Sequence, residues 1–217
     1  MRDDPVYARR GHPWGIVLSI IRGSTDWKTL QTECYGFRGL KMLSAPDATN
    51  YSATEALRNG QRIDIRALRP DDRDDFIAAV SRTSSQSLYR RFFSVRRHFT
   101  ETETAFYLNV DFVNHVALVA LVEENSRPTI IGGGRYVVVE AGQAEIGFTV
   151  LDKYQGQGVG AALLRHLAAI ARKAGLRELI AHVLPDNRAM LKVFEKSGLK
   201  YSAKRDSEAV HVTLGLF

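Results

Sequence analysis

The chain has 217 residues, of which 45% are hydrophobic and 25% charged. That composition excludes collagen-like and wholly disordered chains, and the length fits one domain with an extension or two small domains. The single cysteine, Cys34, cannot build a disulfide framework or a multi-cysteine metal site, which favours a reducing compartment. The apolar run at 14–21 is far shorter than the roughly 20 residues that span a bilayer. Arg9 and Arg10 precede this run as in an export signal, but no small-residue cleavage site follows, so the prediction is a cytoplasmic protein.

The formal net charge of +6 is partly concentrated in one segment. Residues 76–100 contain no Asp or Glu but include Arg82, Arg90, Arg91, Arg96 and Arg97. The aromatic residues among them have spacings that suit the buried face of a helix. The segment is therefore either a core helix with a solvated basic face or a site for an anionic ligand. Nucleic-acid binding has little support, because it would add exposed aromatics or a helix-turn-helix pattern.

The pattern changes near residue 61. Glycines and prolines interrupt residues 1–60, and no periodic pattern is sustained there. We therefore predict a poorly structured extension over 1–60 and one domain over 61–217.

The elements of that domain follow from its periodicity. Alternating or β-rich runs predict strands at 62–67, 115–122, 129–139, 143–150, 178–184, 201–205 and 210–216. Helical spacing predicts helices after the turn at 70–72 and at 84–93, 101–108, 159–174 and 188–197. The early strands are separated by turns and the later ones by helices, which predicts an α/β fold with a mixed sheet.

One segment carries a ligand-binding pattern. Gly156, Gly158 and Gly160 stand at alternate positions between a predicted strand and a long predicted helix. Without side chains the backbone can approach a ligand closely, and the helix N-terminus adds partial positive charge. The segment therefore predicts a phosphate-binding loop, with a purely structural tight turn as the alternative.

The surroundings of the loop separate the kinds of phosphate ligand. Gly156-x-Gly158-x-x-Ala161 fits a dinucleotide fingerprint in form, but no acidic residue ends the next strand. The Gly-Lys-Ser/Thr of nucleotide triphosphatases is absent. Gln155-x-x-Gly158-x-Gly160 resembles the acyl-CoA pyrophosphate signature of the GNAT superfamily of acetyltransferases. The resemblance extends over about residues 62–216 and implies a mostly antiparallel sheet flanked by helices.

The resemblance also implies how acetyl-CoA is held. The backbone of Phe148, Thr149 and Val150 would pair with the pantetheine arm as an added strand does. Asn187 would contact the pantetheine, serve as a plain helix N-cap, or do both. The residues expected to bind the pyrophosphate are Gln155, Gly156, Gln157, Gly158, Val159, Gly160 and Ala161.

Three segments are similar to catalytic domains of bacterial protein lysine acetyltransferases that modify acyl-CoA synthetases, at 87–93, 144–146 and 187–191. They imply acetyl transfer to a primary amine, a protein lysine, by direct attack in a ternary complex. A small-molecule amine acetyltransferase, a non-catalytic CoA-binding module and a nicotinamide-dependent oxidoreductase remain alternatives. No metal, nucleic acid or membrane is expected to take part.

Acetyl transfer requires a neutral amine, and a carboxylate near the thioester can take its proton. Glu145 is the candidate base, because it alternates with Gly147 and Thr149 on one face of its strand and matches a glutamate of the lysine acetyltransferase branch. The alternative is a surface residue paired with an arginine. The resemblance assigns the Val150 N–H as donor to the acetyl carbonyl oxygen.

Two further residues bear on the mechanism. Many GNAT enzymes carry a proton-donating tyrosine where this chain has Phe194, so either water protonates the thiolate or CoA leaves unprotonated. His182 lies in the strand after the loop and is expected to be a core or surface histidine.

Overall fold

The computed structural model describes residues 48–94 and 98–217. Within these ranges eight strands form one sheet in the order β1-β2-β3-β4-β5-β6-β8-β7. The strands are β1 Ser52–Ala56, β2 Arg62–Ala67, β3 His115–Glu124, β4 Arg127–Glu140, β5 Gln143–Val150, β6 Glu178–Val183, β7 Lys200–Arg205 and β8 Val210–Gly215. Only the β5–β6 pair among them is parallel. The predicted α/β fold with a mostly antiparallel mixed sheet is confirmed.

Five α-helices in the described ranges cover the two faces of this sheet. They are α1 Arg73–Ser81, α2 Ser85–Phe92, α3 Glu101–Leu108, α4 Val159–Lys173 and α5 Arg188–Glu195. The central strand β3 is buried on both sides, so its side chains divide between two cores. Ala117, Val119 and Leu121 pack with Phe76 of α1. Val116 and Leu118 join the larger core that includes the apolar stripe of α4.

The sheet begins earlier in the chain than predicted. β1 lies within the range 1–60 that the sequence assigned to a poorly structured extension, and it pairs with β2 along its whole length. Its composition, SATEA, has little of the β-branched and aromatic character that marks a strand, and it is an edge strand that is half exposed. Residues 1–47, with Cys34, lie outside the described residues, as do Arg96 and Arg97. The division into an extension and a domain stays a prediction.

The described residues contain neither a membrane-spanning helix nor a cluster of metal-binding side chains. No helix there is long and apolar enough to cross a membrane. No three His, Cys, Asp or Glu side chains in the same ranges are grouped so that they could hold a metal ion.

Candidate active site

The two central strands β5 and β6 separate halfway along their length. Their parallel pairing ends at Glu145 and Ile180. Beyond that point β5 continues to Val150 paired only with β4, and β6 continues to Val183 paired only with β8. The second halves of the two strands therefore border an open gap, and one edge of β5 faces it.

The backbone N–H of Val150 points into this gap. Leu151 donates its N–H to the Ile131 carbonyl on the β4 side, at 2.9 Å. Since successive N–H groups of an extended chain point to opposite sides, the Val150 N–H is directed away from β4. This orientation is the one that its predicted role as donor to the acetyl carbonyl requires. The role itself stays a prediction.

The glycine loop follows β5 and opens onto the N-terminus of α4. Gly156 and Gly158 have φ of +75° and +106°, which L side chains adopt only with strain. Gly160 has neither a positive φ nor a close neighbour, because a Cβ there would meet no heavy atom within 4 Å. The tight-turn alternative thus accounts for the first two glycines but not for the third. The open space at Gly160 fits a phosphate group close to the helix N-terminus.

The Gln155 side chain ties this loop to its neighbours. Its Nε2 donates to the Val150 carbonyl and to Ser87 Oγ, both at 3.0 Å. Ser87 Oγ in turn donates to the Asp152 carboxylate at 2.8 Å, and Ser84 donates to the same carboxylate through its N–H and its hydroxyl. Burial raises the pKa of Asp152, but these hydrogen bonds outweigh it, so that the pKa lies below its usual value. The network connects the start of α2 to the loop, and sequence reasoning missed its two serines and its aspartate.

The remaining loop residues are held by the protein in different ways. The Gln157 side chain accepts from Asn59 Nδ2 at 3.0 Å and donates to the Lys153 carbonyl at 2.8 Å. Val159 is buried in the core, so only its backbone is available to a ligand. Ala161 is half-buried in the first turn of α4.

Two other residues predicted to contact the cofactor also stabilise the fold. The Asn187 side chain accepts from the Met190 N–H at 3.2 Å and so caps α5, which is the alternative considered for it. The Phe148 ring is buried and lies 6.0 Å from the Phe194 ring, centroid to centroid. Only the backbone of Phe148 borders the gap. Phe194 itself is 1% exposed and carries no group that could protonate a thiolate.

Glu145 stands where β5 and β6 part. The strand alternates as predicted, with Glu145, Gly147 and Thr149 half-buried on one face and the side chains between them buried on the other. Glu145 Oε1 lies 3.7 Å from His182 Nδ1, and both side chains are about one-seventh exposed. No arginine of the described part of the chain lies within ion-pair distance of Glu145, and the ionisable side chain beside it is a histidine. Sequence reasoning had placed His182 in the core or on the surface, because the register of β5 against β6 cannot be read from either strand.

Comparison with known proteins identifies the family. The family model described as the acetyltransferase (GNAT) domain matches residues 62–200. The chain belongs to the GNAT acetyltransferase family. This match confirms the family that the Gln155 loop implied. Enzymes of the GNAT family take the acetyl group from acetyl-CoA.

The relatives of this GNAT domain include two bacterial acetyltransferases. Acetyltransferase PA5475 of Pseudomonas aeruginosa is 34% identical over 137 residues, which cover 63% of this chain and 74% of that protein. Acetyltransferase Pat of Mycolicibacterium smegmatis is 34% identical over 144 residues, which cover 65% of this chain but 42% of that protein. The match to Pat thus spans less than half of its length.

The fold of this GNAT domain also matches a crystal structure. The GNAT domain of S. lividans PAT superposes with a TM-score of 0.70 at 32% identity, covering 76% of this chain and 96% of the other. The acetyltransferase fold inferred from the sequence is therefore confirmed by both sequence and structure.

Proposed function

We propose that this GNAT domain transfers an acetyl group from acetyl-CoA to a lysine side chain of a protein, by direct attack in a ternary complex. The observation that carries the proposal is the gap between β5 and β6. Glu145 stands at its start, the Val150 N–H points into it, and the glycine loop follows at its end. A candidate base, a hydrogen-bond donor and a helix N-terminus therefore surround one opening.

The free edge of β5 suits the pantetheine arm of acetyl-CoA. The same alternation that directs the Val150 N–H into the gap directs the Phe148 N–H there, because Thr149 is the residue between them. Backbone groups spaced in this way can pair with an extended amide chain as with an added strand. The pyrophosphate would then lie at the N-terminus of α4, where Gly158 and Gly160 leave room for it.

Glu145 would accept the proton that the lysine ammonium must lose before its nitrogen can attack. The carboxylate reaches the amine directly or through one water, and His182 holds the carboxylate from the β6 side. The Val150 N–H would donate to the acetyl oxygen as negative charge develops on it. Phe194 is buried and has no proton to give, so the sulfur leaves as a thiolate or takes its proton from water. A thiol pKa near 8.5 makes the thiolate an acceptable leaving group.

A protein lysine is the acceptor that the sequence supports best. The segments at 87–93, 144–146 and 187–191 are similar to protein lysine acetyltransferases that modify acyl-CoA synthetases. The relatives called Pat and PAT are in keeping with that branch. We infer an acyl-CoA synthetase lysine as the target and the cytoplasm as the site of the reaction.

The test is acetyl transfer from labelled acetyl-CoA to a purified acyl-CoA synthetase, to a lysine peptide and to a panel of small amines. Transfer to protein or peptide supports the proposal. Transfer confined to small amines would show that the acceptor is a small molecule and not a protein lysine. Glu145→Gln is the informative variant, and Glu140→Gln, at the exposed end of β4, is its matched control. Thermal shift with acetyl-CoA and with NAD is measured in parallel. Stabilisation by CoA without turnover on any amine would indicate a binding module, and stabilisation by NAD alone an oxidoreductase.

A further inference from the structure

A cavity of about 80 Å³ lies between helices α1 to α3 and the central strands β3 to β5. Gly147 and Thr149 line it, so it adjoins the face of β5 that also carries Glu145. Most of the other lining groups are apolar, among them Phe76, Leu88 and Phe92. The lining also includes two cationic side chains, Arg91 and Arg135.

Arg91 reaches the cavity from α2 and lies against the backbone of β5. A Cβ on Gly147 would be 2.4 Å from Arg91 Nη2 and 2.5 Å from its Cζ, so only glycine leaves room for the guanidinium. The guanidinium also lies 5.1 Å from the Phe92 ring centroid. The charge is thereby held two residues along the strand from Glu145.

Arg135 belongs to β4 and pairs directly opposite Gly147. Its Nη1 donates to the Tyr107 carbonyl at 3.2 Å and to His115 Nε2 at 3.0 Å, and its Cζ lies 4.4 Å from the Tyr107 ring centroid. Burial, together with the charge of Arg135, keeps the pKa of His115 well below its usual value, so this partner is neutral. Burial also lowers the pKa of Arg135 to about 10, and Arg91 contributes to the shift.

Neither guanidinium has a carboxylate partner within the described residues. Among the ion pairs of residues 48–94 and 98–217, no carboxylate lies within 4.0 Å of Arg91 or Arg135. The nearest carboxylate along β5, Glu145, lies beside His182. Two like charges beside an apolar cavity are unfavourable unless an anion joins them. A carboxylate there gains charge-assisted hydrogen bonds that are strengthened by the low local dielectric.

We propose that Arg91 and Arg135 bind a carboxylate of the acceptor, so that the enzyme selects lysines with an acidic residue close by. This inference rests on the proposed transfer to protein lysine. The cavity lies over β3, β4 and β5, whereas the gap proposed for acetyl-CoA lies between β5 and β6. The carboxylate is therefore assigned to the acceptor and not to the acyl chain, although a dicarboxylic acyl group offers the same chemistry.

The test compares kcat/KM on two lysine peptides that differ only in Glu or Gln at positions next to the lysine. The wild-type enzyme should prefer the Glu peptide by about 10- to 100-fold, the range of a hydrogen bond between charged groups. Arg91→Gln should reduce that ratio to less than about 3-fold, and Gly147→Ala should reduce it by displacing the guanidinium without removing the charge. Arg90→Gln is the matched control on the same helix, because Arg90 pairs with Asp186 at 3.3 Å, and it should retain the ratio.

Three results would overturn the assignment. The first is equal kcat/KM on the two peptides with the wild-type enzyme, and the second is an unchanged ratio in Arg91→Gln. The third is an Arg91-dependent preference for succinyl-CoA over acetyl-CoA on the Gln peptide, which would move the carboxylate to the acyl chain. Arg135→Gln, checked for folding by thermal unfolding, provides a second variant with the same expected loss of preference.

A binding measurement separates this inference from the proposed function. Fluorescence anisotropy of labelled Glu and Gln peptides, with CoA present, reports the site without turnover. If no peptide is acetylated but the Glu peptide binds more tightly in an Arg91-dependent way, the carboxylate site stands and the proposed reaction fails. If acetylation occurs without discrimination in binding or rate, the reaction stands and the carboxylate site fails.

Discussion

The carboxylate of Glu145 and the imidazole of His182 face each other across the point where β5 and β6 part. Glu145 Oε1 lies 3.7 Å from His182 Nδ1. Glu145 pairs with Ile180, and His182 follows two residues later on β6, so the two side chains emerge on the same face of the sheet. A histidine at this place can orient a proton-accepting carboxylate.

Replacing Glu145 by Gln should lower kcat for acetyl transfer by about 10²- to 10⁴-fold, the usual contribution of general base catalysis. The change keeps the size of the side chain, so KM for acetyl-CoA should stay near its wild-type value. Steady-state kinetics at saturating acetyl-CoA measure both constants. If the variant kept the full rate, Glu145 could not be the general base.

Replacing His182 by Ala should lower kcat less than Glu145→Gln does, because His182 acts through the carboxylate. Residues that work as a unit have non-additive effects, so the double variant should be about as slow as Glu145→Gln alone. The four rates of this double-mutant cycle provide the measurement. Losses that add fully would show that the two residues act independently.

Replacing Gly160 by Val should separate ligand binding from folding. The added side chain begins in open space, so the free energy of unfolding should stay within about 1 kcal/mol of wild type. The same side chain would occupy the space proposed for phosphate and raise KM for acetyl-CoA about tenfold or more. Gly158→Ala is the contrasting variant, because its φ of +106° should cost about 1–2 kcal/mol of stability. Thermal unfolding and KM are compared for both, and an unchanged KM in Gly160→Val would argue against the phosphate position.

Replacing Ser87 by Ala should loosen the glycine loop. The substitution removes the acceptor of one Gln155 hydrogen bond and a donor to Asp152. We expect a loss of about 0.5–1.5 kcal/mol in stability and a several-fold rise in KM for acetyl-CoA. Ser81→Ala is the control, because Ser81 Oγ donates within its own helix, to the Ala78 carbonyl at 2.8 Å. Equal KM values in the two variants would show that the network does not position the loop.

The stability of the loop should also depend on pH through Glu124. Hydrogen bonds from Tyr154 Oη at 2.5 Å and from Lys153 Nζ at 3.2 Å lower the pKa of Glu124 from 4.5 to about 2. A carboxyl whose pKa is depressed in the folded state stabilises the fold above its unfolded pKa, and the contribution is lost as the pH falls toward the folded pKa. The gap in unfolding free energy between wild type and Glu124→Gln should therefore shrink as the pH is lowered from about 5 to about 2.

Urea unfolding at several pH values measures this gap, and Tyr154→Phe should reproduce most of its pH dependence. A gap that stays constant over the acid range would contradict the assignment of the shift to these hydrogen bonds.

Local patterns in the sequence predicted much of the fold and part of the site. Alternation placed Glu145 on the half-buried face of β5, and the glycines marked the loop before α4, because both features depend on neighbouring residues in the chain. β1 escaped prediction because a short edge strand of small and polar residues has no distinctive pattern. Its place was decided by pairing with β2.

Local sequence patterns were therefore enough to predict the periodicity of the main strands and helices, the family signature at Gln155 and a candidate base. The packing of the folded chain places His182 beside Glu145 and brings Arg91 and Arg135 together over Gly147. These neighbours are between 12 and 56 residues apart in the chain. Contacts of that kind depend on strand register and helix packing, which are properties of the whole sheet and which no local pattern encodes.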